Sequence, residues 1–144
     1  VNSHGFTLVE LLLSIAIMTI LTGLSLPVYE SFTKRNDLDL MTQNVASAMR
    51  RAEVYARGAK NDSTWGVQLQ ASRATLFKGS TYSTRDTTFD ETIELPESVS
   101  LSGDTEVIFS KLTGAPDAVT TVSLSSTTND IRTITVNGNG MVAY

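Results

Sequence analysis

The chain has no cysteine and a single histidine, His4. Without thiols there is no disulfide, no thiolate metal site and no cysteine nucleophile. With the one imidazole confined to the first few residues, histidine general-base chemistry, a Ser-His-Asp constellation and most zinc sites fall away. Charged residues are sparse at 18%, against about a quarter in an average globular protein. Acids outnumber bases, for a net charge of −4. Up to Arg57 five basic and five acidic residues cancel, so the stretch from Gly58 onward carries the whole excess. An acidic surface repels nucleic-acid phosphates at long range, which argues against a general nucleic-acid-binding role.

One region lacks charge altogether. From Leu11 to Tyr29 no Asp, Glu, Lys or Arg occurs in 19 positions, enough for a helix to cross a hydrocarbon core of about 30 Å. A secretory signal, a membrane anchor and a buried core helix are the three readings. A secretory signal needs a basic leader and an apolar run of about 7–15 residues. Here "VNSHG" has neither Lys nor Arg and the run is longer, so the anchor is preferred. Glu10 stands near its beginning, where a carboxylate carried to the bilayer centre would cost about 2.5–3.5 kcal/mol.

Helical periodicity continues past the apolar run. Pro27 falls inside it, removes one backbone hydrogen bond and is expected to kink the helix. Leu38, Met41, Val45, Ala48, Ala52 and Tyr55 then recur at alternating spacings of three and four, the seam of an amphipathic helix. Gly58 is the expected stop, in a left-handed conformation. A helix from Phe6 to Arg57 would be about 78 Å long at 1.5 Å per residue.

Beyond Gly58 the period changes to two. "TWGVQLQ" and "RATLFKG", joined by Ala71-Ser72, form a candidate hairpin. "TTFDETIEL", "EVIFSKLTG", "VTTVSLSS" and "IRTITV" are further strands, and "NGNG" joins the last of them to "MVAY" through a turn in which both central residues accept positive φ. This half is antiparallel β and needs the amphipathic helix to cover its apolar face. Among its carboxylates, Asp90 and Glu91 could suggest a glycosidase pair or a calcium site, but neighbours on a strand point to opposite faces. No catalytic set, metal site or cofactor site is expected.

Gly5-Phe6-Thr7-Leu8-Val9-Glu10 and the apolar run after it closely resemble the leader signal of type IV prepilins and pseudopilins. In that family a short leader ends in glycine, phenylalanine follows, and a glutamate stands fifth after the cut. The resemblance implies cleavage between Gly5 and Phe6, N-methylation of Phe6, a filament-assembly role for Glu10 and a helix-bending role for Pro27. Further along, Val107, Phe109 and Gly114, then Ile134, Val136, Gly140 and Val142, resemble the closing segments of the GspH/FimT-type minor pseudopilin domain, with one extra residue before Gly114. The implied fold is α+β and pilin-like: a long kinked N-terminal helix, transmembrane in its first half and amphipathic in its second, packed on an antiparallel β-sheet domain. The expected organisation is a leader over residues 1–5, a transmembrane and filament-core helix over 6–29, an amphipathic helix over 30–57 and a β domain over 58–144.

The implied function is that of a non-catalytic minor pseudopilin of a type II secretion system or a minor pilin of a type IV pilus. Its partners would be other pilin-like subunits, prepilin peptidase, the inner-membrane assembly platform and membrane lipid. It would sit as a single-pass protein in a bacterial inner membrane, β domain outside the cytoplasm, and later in the filament, in the periplasm or at the cell surface. Lys34 and Arg35 alone would orient the segment the other way by the positive-inside rule; the cleavage signal, read on the cytoplasmic side, takes precedence. The alternative is a competence-type minor pilin that binds DNA. Receptors of that kind carry arginines after the closing glycine, where this chain has Gly140-Met141-Val142-Ala143, so DNA is a disfavoured partner.

Overall fold

The computed structural model describes residues 5–102 and 105–144, except for the side chains of residues 24–28 and 30. The leader residues 1–4, with His4, and the side chain of Pro27 therefore lie outside the described residues. Helix α1 runs over Leu8–Arg57, and Pro27 falls within it. The chain divides into two units, Val1–Thr33 and Lys34–Tyr144.

In the first unit α1 carries an almost continuous apolar surface. Phe6, Leu8, Val9, Leu11–Leu13, Ile15, Ile17, Met18, Ile20 and Leu21 are all exposed. Its hydroxyls turn back onto the helix: Ser14 Oγ donates to the Glu10 carbonyl and Thr19 Oγ1 to that of Ile15, both at 2.8 Å. Polar atoms satisfied in this way cost little in an apolar environment. Among the described residues no helix is long and apolar enough to cross a membrane.

The second unit is α+β. Its strands are β1 (Trp65–Gln70), β2 (Arg73–Lys78), β3 (Asp86–Glu94), β4 (Val99–Leu101), β5 (Thr105–Phe109), β6 (Thr120–Ser126), β7 (Ile131–Val136) and β8 (Val142–Ala143). They form two antiparallel sheets, ordered β3-β2-β1-β5 and β4-β6-β7-β8. The hairpin read from the sequence is present: Gln70 faces Arg73 across the Ala71-Ser72 connection. The helical seam is present too. Leu38, Val45, Ala48 and Ala52 are fully buried, with Met41 and Tyr55 packed against the same core. Val67 and Leu69 of the first sheet and Val122, Leu124, Ile134 and Val136 of the second complete it.

Two local expectations are corrected, and one strand is added. The helix ends at Arg57, but Gly58 is not the left-handed residue; its amide still bonds the Val54 carbonyl, and Ala59 takes φ 47°. The turn after β7 does not use two positive-φ residues at its centre. Gly140 alone takes positive φ there, while Asn137 Oδ1 accepts from the amides of Asn139 and Met141, each at 3.0 Å. The side chain thus does what backbone geometry was expected to do. Strand β4 was not foreseen, because "VSL" after Pro96 is too short to show a period.

Candidate functional site

The N-terminal motif sits at the entry to α1. Thr7 precedes the first helical residue and its Oγ1 accepts from the Glu10 amide at 3.3 Å. Its carbonyl accepts from the Leu11 amide at 3.2 Å. Thr7-Leu8-Val9-Glu10 thus has the T-x-x-E spacing of a capping box, in which the threonine satisfies an orphan amide of the first turn. Glu10 belongs to that turn, where the helix dipole favours a carboxylate. Among the described residues it enters no ion pair. Gly5 precedes the helix with open space around its Cα, and Phe6 is 80% exposed. The Gly5–Phe6 bond is thus accessible, and the Glu10 carboxylate lies in the first turn of the helix that follows.

A second feature lies within the other unit, where the two C-terminal motifs meet. Val107, Phe109, Ile134 and Val136 are fully buried. Gly114 (φ 67°) and Gly140 (φ 84°) face each other against Glu53 and Arg57 of α1. Glu53 and Arg57 form an i,i+4 ion pair. Arg50 Nη2 donates to the Val142 carbonyl at 3.0 Å, and its guanidinium lies 5.0 Å from the Tyr144 ring centre. A shallow depression of about 270 Å³ opens between these side chains and Gly140–Val142. The segment after the closing glycine, Met141 to Ala143, has no cation of its own; helix residues Arg50 and Arg57 place theirs beside it. The seven-residue spacing of those two arginines on one helix was the available signal. Both have intramolecular partners.

The adjacent acids do not converge. Asp90 accepts from Arg85 Nε at 2.8 Å and Glu91 from Arg51 Nη1 at 2.6 Å. Among the described residues no group of three or more His, Cys, Asp or Glu could hold a metal ion.

Residues 1–26 match the family described as the prokaryotic N-terminal methylation motif. The fold is that of a pilin-like minor pseudopilin. A structure of the minor pseudopilin EpsH from the type II secretion system of Vibrio cholerae superimposes with a TM-score of 0.56 at 14% identity, covering 74% of this chain and 94% of that one. A second structure of EpsH gives 0.56 at 12% identity, over 75% and 92%. No curated protein sequence matches the chain.

Proposed function

We propose that the chain is a minor pilin or pseudopilin that is made as a membrane-anchored precursor and assembled into a filament through α1. Prepilin peptidase cuts between Gly5 and Phe6, the new Phe6 amine is methylated, and the helix from Phe6 to Val28 passes from lipid into the filament core, bent at Pro27. The observation that carries this reading is the coincidence of the methylation motif on residues 1–26 with a stretch of helix whose described apolar side chains, from Leu8 to Leu21, are exposed. Burying each of those side chains against lipid or neighbouring helices is worth about 1.5–3 kcal/mol, so an occupant is strongly favoured. The anchor places the β domain outside the cytoplasm of a bacterium, and the assembly platform and sibling subunits are its partners.

The subunit has no catalytic role in this reading, and the likeness to EpsH, a subunit of a type II secretion system, favours a secretion filament over a pilus. A DNA receptor is the weaker alternative, since Arg57 is paired with Glu53 and Arg50 is engaged with Val142 and Tyr144. The test is intact-mass analysis of the chain after co-expression with a prepilin peptidase. Loss of Val1–Gly5 and gain of one methyl group is the expected result. An uncut chain, or cleavage elsewhere, overturns the proposal.

A further inference from the structure

The turn after β7 holds two Asn-Gly pairs, Asn137-Gly138 and Asn139-Gly140. Each pair has the atoms for an intramolecular acyl transfer, since the glycine nitrogen can attack Cγ of the asparagine before it. Glycine leaves that nitrogen open, because it has no Cβ to crowd the approach. In an unfolded chain the two pairs are chemically alike. The fold makes them different.

Asn137 is held at its amide, its carbonyl and its side-chain oxygen. Its amide donates to the Met141 carbonyl at 3.1 Å, and its carbonyl accepts from the Gly140 amide at 2.9 Å. Its Oδ1 accepts from the amides of Asn139 and Met141, each at 3.0 Å. The bond from Asn139 closes an Asx turn, a ring of atoms that contains both Asn137 Cγ and the Gly138 nitrogen. Electrophile and nucleophile are thus kept side by side. The two amides on Oδ1 point at the atom that gains negative charge when Cγ becomes tetrahedral, the arrangement of an oxyanion hole. Among the described residues no hydrogen bond engages the Gly138 amide. Asn137 and Gly138 are exposed, so solvent can take the amide proton.

The second pair is closed. The Gly140 amide is committed to the Asn137 carbonyl. Gly140 itself is buried, holds φ 84° and sits against the Gly114 carbonyl and Glu53. Attack by its nitrogen would give up that hydrogen bond and move the glycine out of its packing.

We propose that Asn137 is a site of spontaneous covalent modification, deamidation through a cyclic imide with Gly138. The Gly138 nitrogen loses its proton to solvent and bonds Asn137 Cγ. The Cγ–Nδ2 bond breaks, and Nδ2 leaves as ammonia with a proton returned from solvent. Water then opens the imide at either carbonyl. One opening leaves aspartate, which still accepts from both amides and adds a negative charge to the turn. The other leaves isoaspartate, with the side-chain carbon drawn into the main chain, and the lengthened turn no longer seats Gly140 against Gly114. The closing hairpin therefore ages from within. The inference rests on this turn alone, and stands or falls separately from the processing of the N-terminus.

The test follows both asparagines in one peptide. Full-length chain is aged in detergent at mildly alkaline pH and cut with trypsin, which releases Thr133–Tyr144 after Arg132. Fragmentation of that peptide in a mass spectrometer assigns the amide-to-acid mass gain to one asparagine or the other. The expected result is conversion of Asn137 several-fold faster than Asn139, with the gap narrowing when the chain is aged unfolded in urea. Gly138→Ala, whose added Cβ meets only Val119 Cγ2 at 3.9 Å, should slow Asn137 several-fold with the unfolding midpoint unchanged. Asn139 converting as fast as Asn137 in the folded chain overturns the proposal. So does a gap of the same size in urea, or a folded chain intact at Asn137 over the time in which the unfolded chain is consumed.

Discussion

A β-carbon on Gly140 would fall well inside van der Waals contact distance of the Gly114 carbonyl oxygen, a backbone atom that cannot swing aside. Gly140 also holds φ 84°, a conformation L side chains resist. Strain and overlap add, so Gly140→Ala is expected to destabilise the β domain by about 2–4 kcal/mol. Gly138, two residues earlier, has no positive φ and only Val119 Cγ2 near its missing Cβ, at 3.9 Å. Gly138→Ala should then be neutral within about 0.5 kcal/mol. Urea unfolding of the two variants checks the contrast, and equal midpoints would show that the two motifs do not meet as described.

The single tryptophan ties three elements together. Trp65 is 2% exposed on β1, with its ring edge-on to Tyr55 of α1 at 4.9 Å and to Phe89 of β3 at 6.0 Å. Its Nε1 donates to the Lys60 carbonyl at 3.0 Å. Trp65→Phe keeps the apolar body but leaves that carbonyl without its partner, for an expected loss of about 1–3 kcal/mol. Trp65→Ala adds a cavity, and should cost about 3–5 kcal/mol. Circular dichroism melts of the two variants give the ranking, since substitution removes the only indole fluorophore.

How far the sequence reached follows from where its signals were periodic. Leu38 to Tyr55 and Trp65 to Leu69 were legible because the large apolar residues of one face repeat at a fixed interval. The helix end at Arg57 was read correctly through the wrong residue: the left-handed position fell to Ala59, because Gly58 was still bonded to Val54. Phe77 shows a different gap. It is fully buried, yet Gly66 opposite it leaves the space its ring fills, since a Cβ there would lie 2.7 Å from Phe77 Cζ. A glycine inside a strand reads as weakness until its partner is known. The contact of Gly114 with Gly140 joins residues far apart in the chain, and no local pattern predicts that distance.

Two exposed carboxylates shape the acid limb of stability. Asp62 is held below its usual value of 3.8 by a hydrogen bond from Lys111 and then by that residue's charge. The Thr88 hydroxyl and amide hold Asp86 below it, with a smaller part from Lys78. A depressed folded-state value means the stabilisation is present above the unfolded value and is lost as pH falls through the folded one. Stability should therefore decline from about pH 4 downward. Asp62→Asn should flatten that decline slightly, because a fully exposed pair is well screened. Arg85, raised by its hydrogen bond to Asp90, stays charged throughout this range and adds no slope. Unfolding midpoints taken at successive acid pH values test this; a steeper decline in Asp62→Asn would contradict the sign.

In the proposed function, Glu10 is the residue that separates anchoring from assembly. Its amide is capped by Thr7 Oγ1, whereas its carboxylate enters no ion pair among the described residues. Removal of the side chain should therefore leave the first turn intact and the Gly5–Phe6 bond as accessible as before. What changes is the partner available to a cationic amine on a neighbouring helix. A carboxylate in lipid is costly until it meets such a charge, so the pairing turns a membrane penalty into a docking preference. Glu10→Ala and Glu10→Gln are expected to be cut and methylated at wild-type levels yet to enter filaments at least about tenfold less, the equivalent of about 1.4 kcal/mol. Glu10→Asp, which keeps the charge on a shorter stem, should fall between. Cleavage scored by mass and incorporation scored in sheared filaments separate the two steps. Normal incorporation of Glu10→Ala would mean that the helix assembles by apolar packing alone.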